Sequence, residues 1–378
     1  MPQVRVLHVI TELDTGGAET MMAQVVTGGD RHRFHHAVVS LTTVGPVGAE
    51  LLDNGVEVFA LGMDRRLPNP FRSLALRRLI GEMRPDVIKT WLYHANLVTS
   101  LVAPRRIPIV WGVHSISLGD DFLGLRTRIV ARACGPLSKW SPRRIVYDSH
   151  ASAAAHQAIG YDATKAVVIP NGFDTNVFKP DPAAARALRG ELGIADDVPL
   201  VGMVARFHPA KDHRTFLEAA ALLRRDFPRI AFVLCGGMGI TAENRVLTQW
   251  IDDLALGDVV HLLGRRENLP SFMAALDVGM ASSMTESFPL VVGELMAAGT
   301  PCVVTDVGDM RFLAGDVAII VPPRDPRALA DGCATLLRVP ADERRRRGLA
   351  GRERIMARFS LNETMAPYER LFETVLPN

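Results

Sequence analysis

Residues 278–305 read VGMASSMTESFPLVVGELMAAGTPCVVT, and this stretch decides the fold class. Val278–Ala281 and Cys302–Thr305 are short apolar runs of strand type. Between them Leu290 to Ala298 reads as a helix, with Pro289 tolerated at its start and Gly299 ending it. A strand, a helix and a second strand in such short order predict a parallel crossover unit. Glu286 falls in the loop ahead of the helix and Glu294 within its second turn. Free N–H groups near Leu290 and Val291 would point where a phosphate could dock. A carboxylate facing the same point suits a sugar or ribose hydroxyl, because an ionised carboxylate only accepts hydrogen bonds. An ordinary helix with ordinary acidic residues is the competing reading.

The alternation continues outward in both directions. Upstream, strand candidates are Val4–Ile10, His36–Leu41, Val56–Ala60, Val87–Thr90, Ile107–Gly112, Arg144–Tyr147 and Ala166–Ile169. Helices fit between them, such as Phe71–Met83, whose apolar residues keep roughly helical spacing. Turn residues and proline at 171–180 interrupt the series. A second series follows: Leu200–Val204, Ala231–Leu234, Val259–Leu262, Val278–Ala281, Cys302–Thr305 and Ala318–Val321. This order predicts an α/β chain of two Rossmann-like domains, residues 1–175 and 176–358, with parallel sheets facing a central cleft. Glu343–Arg358 is expected as an exposed arginine-rich helix. Residues 359–378 are expected to form a last amphipathic helix packing back towards the N-terminal domain. Open α/β sheets bind ligands beyond the C-terminal ends of their strands, so informative residues are expected just after strands.

Composition narrows the class. The 378 residues are 48% hydrophobic and 22% charged, which excludes an acidic or basic disordered tail protein. Lys+Arg number 43 against 41 Asp+Glu, and a net charge of +2 argues against a whole-protein fit to nucleic acid. Cys134, Cys235, Cys302 and Cys333 are too scattered for a disulfide framework or a metal site, and read as buried thiols of a reducing compartment. The start, MPQVRVLHVI, reads as a first strand rather than a signal peptide. No segment approaches the ~20 apolar residues of a membrane span, so a cytoplasmic protein is expected. Between Asp64 and Arg144, however, 15 Lys/Arg stand against 5 Asp/Glu, an excess of +10 that includes Arg65 and Arg66. That excess is either a solvated face or an attraction toward an anionic surface or substrate.

Two further loops carry chemistry. The first strand runs into Gly16 and Gly17, which could turn backbone N–H groups toward an anion at a helix start or simply make a tight turn. They do not form the spaced glycine fingerprint of dinucleotide binding, so a nicotinamide oxidoreductase is disfavoured. Leu200–Val204 runs into Arg206 and Lys211, five residues apart. A guanidinium fork and a mobile ammonium suit a diphosphate, and a solvated basic loop is the alternative.

In this order the pieces resemble a retaining glycosyltransferase of the GT-B fold, family 4, also called glycosyl transferases group 1. The resemblance spans essentially the whole chain. It rests on Gly16-Gly17-Ala18-Glu19, Ile169-Pro170-Asn171-Gly172, Arg206 with Lys211, Leu263-Gly264-Arg265, Glu286 with Glu294, Ala298-Gly299-Thr300-Pro301 and Asp306-Val307-Gly308. It implies that Arg206 and Lys211 neutralise the diphosphate of a nucleotide sugar, Glu286 holds the transferred sugar and Glu294 the ribose. It further implies that Phe288, Pro289, Leu290 and Val291 cradle phosphate and sugar, that Gly16 and Gly17 approach the diphosphate, and that Arg265 lies beside the base. His114 is implied near the donor sugar, with Glu19, His94 and Asn171 on the acceptor side. Two departures stand out: Gly-Asp-Gly is replaced by the loop Cys235-Gly236-Gly237-Met238-Gly239, and Ser115 follows His114 where an aspartate is common.

The activity so implied is transfer of a hexosyl unit with retention, from a UDP-sugar in preference to a GDP-sugar, to a glycan or lipid-linked acceptor in surface polysaccharide synthesis. No Asp-x-Asp triplet occurs, and with protein cations at the diphosphate neither a metal nor another cofactor is expected. The basic N-terminal excess adds peripheral contact with an anionic membrane to the expectations. A sugar-nucleotide 2-epimerase of the same fold and a non-catalytic glycosyltransferase-like subunit are the alternatives.

Overall fold

A computed structural model of the chain describes residues 3–63, 70–115, 124–237 and 239–376. Arg65, Arg66 and Met238, singled out above, lie outside the described residues. The chain divides into two compact units, Met1–Gly172 with Leu361–Asn378, and Phe173–Ser360.

The first unit is built on seven parallel strands: β1 (Val4–Ile10), β2 (Phe34–Ser40), β3 (Glu57–Ala60), β4 (Val87–Trp91), β5 (Ile109–Val113), β6 (Arg144–Tyr147) and β7 (Ala166–Val168). Their order in the sheet is β3-β2-β1-β4-β5-β6-β7. The second carries β8 (Leu200–Val204), β9 (Ala231–Cys235), β10 (Val260–Leu262), β11 (Val278–Ala281), β12 (Cys302–Thr305) and β13 (Ile319–Val321), in the order β10-β9-β8-β11-β12-β13. Each sheet thus reverses direction of growth once, between β1 and β4 and between β8 and β11. Such a reversal opens a crevice at the strand C-termini, because the flanking loops diverge there. The two parallel Rossmann-like sheets are those the alternating pattern predicts. Strand ends shift by one or two residues, as where Pro108 lacks the N–H to join the ladder and β5 begins at Ile109.

Both faces of each sheet are covered, which is why the strands read as continuous apolar runs rather than alternating ones. In the first unit Leu7, Val9, Ile88 and Trp111 face one core, and Val6, Ile10, Trp91 and Val110 face the other. The second core also receives Met365, Tyr368, Leu371 and Phe372 from the helix Leu361–Thr374, whose apolar stripe is satisfied within this unit. All four cysteines are buried and unpaired. Among the described residues no helix is long and apolar enough to cross a membrane.

The helix Ala341–Arg358 is less exposed than its composition predicts. Gly348, Gly351 and Ile355 are buried, and Arg352 donates to the carbonyls of Ala297, Phe178 and Thr175. Ala297 ends the helix Leu290–Ala297, so a guanidinium caps the negative end of the helix that bears Glu294. Arg354 likewise donates to Leu313 and Phe312. These arginines fasten carbonyl ends that would otherwise lack donors.

Candidate functional site

In the second unit the loops after β8 and β11, on either side of the reversal, are stitched together. After β8 a short 3₁₀ turn, Pro209–Lys211, is capped by His208, whose Nδ1 accepts from the Ala210 amide at 3.2 Å. Asp212 then takes a left-handed backbone (φ 47°) and caps the helix His213–Asp226 by accepting from Thr215 N and Oγ1. This double cap turns the chain sharply and fixes Lys211 between two helical elements. From the other side, Met284 N donates to Ala210 O at 2.8 Å. The Ser282 hydroxyl lies 2.9 Å from the carbonyl oxygens of both Lys211 and Asp212.

The side chains meet across this seam. Lys211 Nζ donates to Glu286 Oε1 at 2.5 Å, and Ser283 Oγ donates to the same oxygen at 2.7 Å. Both members are mostly buried, with 25% and 17% of their side chains exposed, so their attraction is less screened than that of a surface pair. One Glu286 oxygen is thereby committed, and the other has no partner among the described residues. Glu286 is also held from behind. Gly308 has φ +55°, and a Cβ there would stand 1.9 Å from the Glu286 carbonyl oxygen. Only glycine lets the loop after β12 approach so closely, and Asp309 N then donates to Ser287 O at 3.2 Å.

Glu294 lies on the helix Leu290–Ala297, whose N-cap Pro289 supplies no side-chain acceptor. The Leu290 and Val291 amides therefore have no intrahelical partner and form a positive pole. Phe288 is buried among the apolar residues behind that turn. Glu294 has no hydrogen-bond or ion-pair partner among the described residues, and burial pushes its carboxyl up to about 7. Arg206 is exposed just after β8 and has no ion-pair partner among the described residues. Arg206 and Lys211 both contribute to lowering the pKa of His208, after burial, which places them in one electrostatic neighbourhood. Arg265 is exposed after β10, while its neighbour Arg266 is held by Glu191 in a two-pronged pair. The second unit thus brings Lys211 and Glu286 into direct contact and sets Arg206, Glu294 and the helix N-terminus around the same reversal. This ensemble can hold an anion with two cations and bare amides, and hydroxyl groups with two carboxylates.

In the first unit the candidates stand past the C-terminal ends of β1, β4, β5 and β7. Gly16, with an extended backbone (φ −162°), precedes the helix Gly17–Gly28 and provides no side-chain cap. Glu19 fills that role: it folds back so that a Cβ on Gly16 would lie 2.3 Å from its Oε2. Glu19 is buried, and its pKa is raised by burial, against the hydrogen bond from its own amide. His94 is half-buried near the start of the helix Tyr93–Val102, which follows Leu92 with φ 70°. A leucine in that region is strained, a feature that clusters at working sites. Asn171 is buried with no partner for its Oδ1 among the described residues.

His114 stacks on Trp91 with ring centroids 4.9 Å apart, and neither ring nitrogen has a partner among the described residues. Burial, reinforced by the nearby Lys89, pushes its pKa down to about 3, so the ring is neutral at pH 7. Lys89 itself escaped the sequence reading. It is fully buried, donates to Thr90 O at 3.1 Å, and lies 4.4 Å from the Trp91 ring centroid. It has no carboxylate partner among the described residues, and burial holds its pKa well below the lysine range. On the far side Trp91 Nε1 donates to His8 Nδ1 at 3.1 Å, and His8 Nε2 lies 2.9 Å from His36 Nδ1. Because indole N–H can only donate, His8 must carry its proton on Nε2 and pass the hydrogen bond to His36. The available signal was one lysine inside the apolar run Val87–Trp91, whose side chain had to face a core. Ser282, Ser283 and His208 were also missed, being polar residues in loops where such residues are ordinary.

Comparison with known proteins follows the two units. Residues 15–177 match the family model described as Glycosyltransferase Family 4, and residues 185–354 match that described as Glycosyl transferases group 1. The putative glycosyltransferase EpsF of Bacillus subtilis is 28% identical over 327 residues, which cover 80% of this chain and 79% of EpsF. The D-inositol 3-phosphate glycosyltransferase of Xylanimonas cellulosilytica is 33% identical over 305 residues, 74% of this chain and 70% of that one. A protein of the same name from Kineococcus radiotolerans is 34% identical, but over only 46% of its length. Among solved structures, Anabaena HepE in complex with UDP-glucose superposes with a TM-score of 0.84 at 23% identity, covering 98% of this chain and all (100%) of that one. A glycosyltransferase from Rickettsia africae gives 0.81 at 18% identity, with 100% of both chains covered. At these identities the structural likeness is one of fold.

Proposed function

This chain belongs to the family 4, group 1 glycosyltransferases of GT-B fold, and from that premise we propose that it moves a hexosyl unit from a UDP-sugar to a glycan or lipid-linked acceptor, with retention at the anomeric carbon. The observation that carries the reading is the Lys211–Glu286 pair at the reversal of the second sheet, beside a helix N-terminus without a side-chain cap and a carboxyl with no partner among the described residues. Arg206 and Lys211 take the diphosphate, and the Leu290 and Val291 amides add their dipoles. Charge on the departing diphosphate is met by donors already in place, which is electrostatic catalysis of the oxyanion-hole kind. Glu286, one oxygen held by Lys211 and Ser283, offers the other to sugar hydroxyls, and Glu294 accepts from the ribose. Arg265 lies on the base side. The leaving phosphate takes the acceptor proton on the face from which it departs, so no pair of protein carboxyls is required. Arg206 and Lys211 stand where a divalent cation would otherwise balance the diphosphate, and the reaction proceeds without a metal.

The family resemblance assigns Gly16, Gly17 and His114 to the donor and Glu19, His94 and Asn171 to the acceptor. His114, held neutral on Trp91, is suited to a hydroxyl rather than to a phosphate. The uridine preference is supported by the UDP-glucose in HepE, and surface polysaccharide synthesis at the inner face of the cell membrane is the setting we assign. Arg206→Ala and Lys211→Ala test the reading through steady-state turnover of a donor chosen from UDP-, GDP- and ADP-sugars by thermal shift. Each is expected to lose on the order of 10²-fold or more in kcat, as for one preorganised donor. Near wild-type turnover in either variant removes the assignment.

A further inference from the structure

The sheet of the first unit has a second edge, where its strands begin. Because all seven strands run parallel, the residues entering β4, β5, β6 and β7 lie along that edge at roughly 4.8 Å per strand. The entries are basic: Arg84 before β4, Arg105 and Arg106 before β5, Arg143 and Arg144 at β6, and Lys165 before β7. Arg143 N donates to Ile109 O at 2.8 Å and Arg144 pairs with Val110, which fixes both arginines beside the start of β5. Lys165 Nζ donates to the carbonyls of Ser138 and Lys139 at 2.9 and 2.7 Å, drawing the end of the helix Leu125–Ser138 to the same edge. Arg84, Arg105, Arg106, Lys139, Arg143 and Arg144 are exposed and have no ion-pair partner among the described residues. The nearby carboxylates are engaged, Asp86 with Arg5 and Asp162 with Lys165.

Apolar groups stand among these cations. Trp140 is 87% exposed, the most exposed large apolar side chain among the described residues, while Trp91 and Trp111 are wholly buried. Leu101 is 70% exposed. The two are brought together by their sequence neighbours, for Ser141 Oγ and Ser100 Oγ are hydrogen-bonded at 2.7 Å. A tryptophan and a leucine ringed by arginines form a surface with an apolar centre and a cationic rim. A nucleic acid or a soluble polyanion would reward the rim but not the centre. A lipid interface rewards both, since an indole and an aliphatic chain settle at the headgroup level while cations meet lipid phosphates.

We propose that the strand-entry edge of the seven-stranded sheet docks onto anionic phospholipid bilayers, with Trp140 and Leu101 set among the headgroups and Arg105, Arg106, Lys139, Arg143 and Arg144 against their phosphates. This deepens the membrane side of the function proposed above by naming the surface. It also fixes an orientation, with Gly16, His94, His114 and Asn171 at the far edge of the same sheet, turned away from the lipid, so that of the two acceptor classes proposed above this surface goes with a glycan extending from the membrane rather than a lipid-linked group held in it.

Sedimentation of the full chain with vesicles tests it without any transfer chemistry, so failure here leaves the transferase reading untouched. Vesicles of phosphatidylcholine alone are compared with vesicles of equal parts phosphatidylcholine and phosphatidylglycerol. Binding is expected to the anionic vesicles only, and at least tenfold weaker at about 1 M than at about 0.1 M salt, where the screening length falls from about 10 Å to about 3 Å. The double variant R143E/R144E is expected to lose at least tenfold in binding. Trp140→Ala is expected to bind several-fold more weakly, and the blue shift of tryptophan emission on anionic vesicles to vanish in Trp140→Phe. All three positions are exposed, and circular dichroism verifies that the variants fold. Equal binding to both vesicle types, anionic binding unchanged in the charge-reversed variant, or an emission shift that survives Trp140→Phe each overturns the proposal. Salt-sensitive capture by heparin without vesicle binding also overturns it, in favour of a soluble polyanion.

Discussion

The Glu294 carboxyl makes a prediction that the structure quantifies. Burial pushes it from an ordinary value of 4.5 up to about 7. That difference of about 2.5 units corresponds to about 3 kcal/mol disfavouring the ionised form, at about 1.4 kcal/mol per unit. The folded value is raised, so the stabilising proton is fully present below pH 4.5 and is lost as pH rises through 7. Ribose hydroxyls prefer the ionised form, because a carboxylate accepts from both. Donor binding should therefore tighten with pH over the window in which Glu294 loses its proton. With a value near 7, about one tenth of the carboxyl is ionised at pH 6 and about nine tenths at pH 8, so Kd should fall about tenfold between them. His213 is lowered to about 4 and lies outside that window, and His208 is lowered as well, by burial and then by Arg206 and Lys211. Titration calorimetry with a UDP-sugar, whose diphosphate diester does not ionise there, measures the slope directly. Repeating pH 7 in buffers of different ionisation enthalpy should reveal about half a proton released. Glu294→Gln should bind with a Kd independent of pH. A flat wild-type profile, or the same slope in the variant, would mean that ionisation of Glu294 does not govern donor binding.

Gly308→Ala should disturb the site without touching a ligand. The new methyl meets the Glu286 carbonyl in a backbone region that L-residues avoid, so stability should fall by about 1–3 kcal/mol and kcat with it. A variant with unchanged melting temperature and turnover would show that the loop yields freely. Lys89→Met should stabilise the chain at neutral pH. The folded amine sits well below 10.5, so between its depressed value and the ordinary one the unfolded chain holds the extra proton and stability rises with pH. The slope approaches about 1.4 kcal/mol per pH unit. Thermal unfolding from pH 7 to 10 should show that rise in the wild type and lose it in the variant; equal slopes would mean that Lys89 stays charged.

The fold was legible because a parallel sheet covered on both faces demands apolar strands, and turn residues separate them from the helices. Val278–Ala281, Leu200–Val204 and Arg144–Tyr147 were readable to the residue for that reason. Phe34 was overlooked because His35 and His36 follow it and hide the strand start. The arginines of Ala341–Arg358 read as solvent-facing because composition reports charge and not the orphan carbonyls that Arg352 and Arg354 serve. In the second unit Arg206, Lys211, Glu286 and Glu294 could be named because each follows a strand in a recognisable local context. What pins them is spread over distant loops: Ser282 and Ser283 from one, Gly308 from another, His208 from a third. No local pattern announces a serine as the second donor to a carboxylate. Lys89 with His8 and His114 was less visible still. A buried cluster of cationisable groups arises only when β1, β4 and β5 come into register.

The reaction proposed is a transfer from a nucleotide sugar with retention, driven by cations of the protein. Its most direct measurement is a proton NMR time course of the wild-type chain with a UDP-α-hexose, in chelator, reading the anomeric signal of the first product released to an acceptor or to water. An α-configured product is expected to appear first, chelation to leave the rate unchanged, and Arg206→Ala to slow the signal on the order of 10²-fold or more. A β-configured first product, a rate that collapses with chelator, or near wild-type turnover in Arg206→Ala would overturn the assignment.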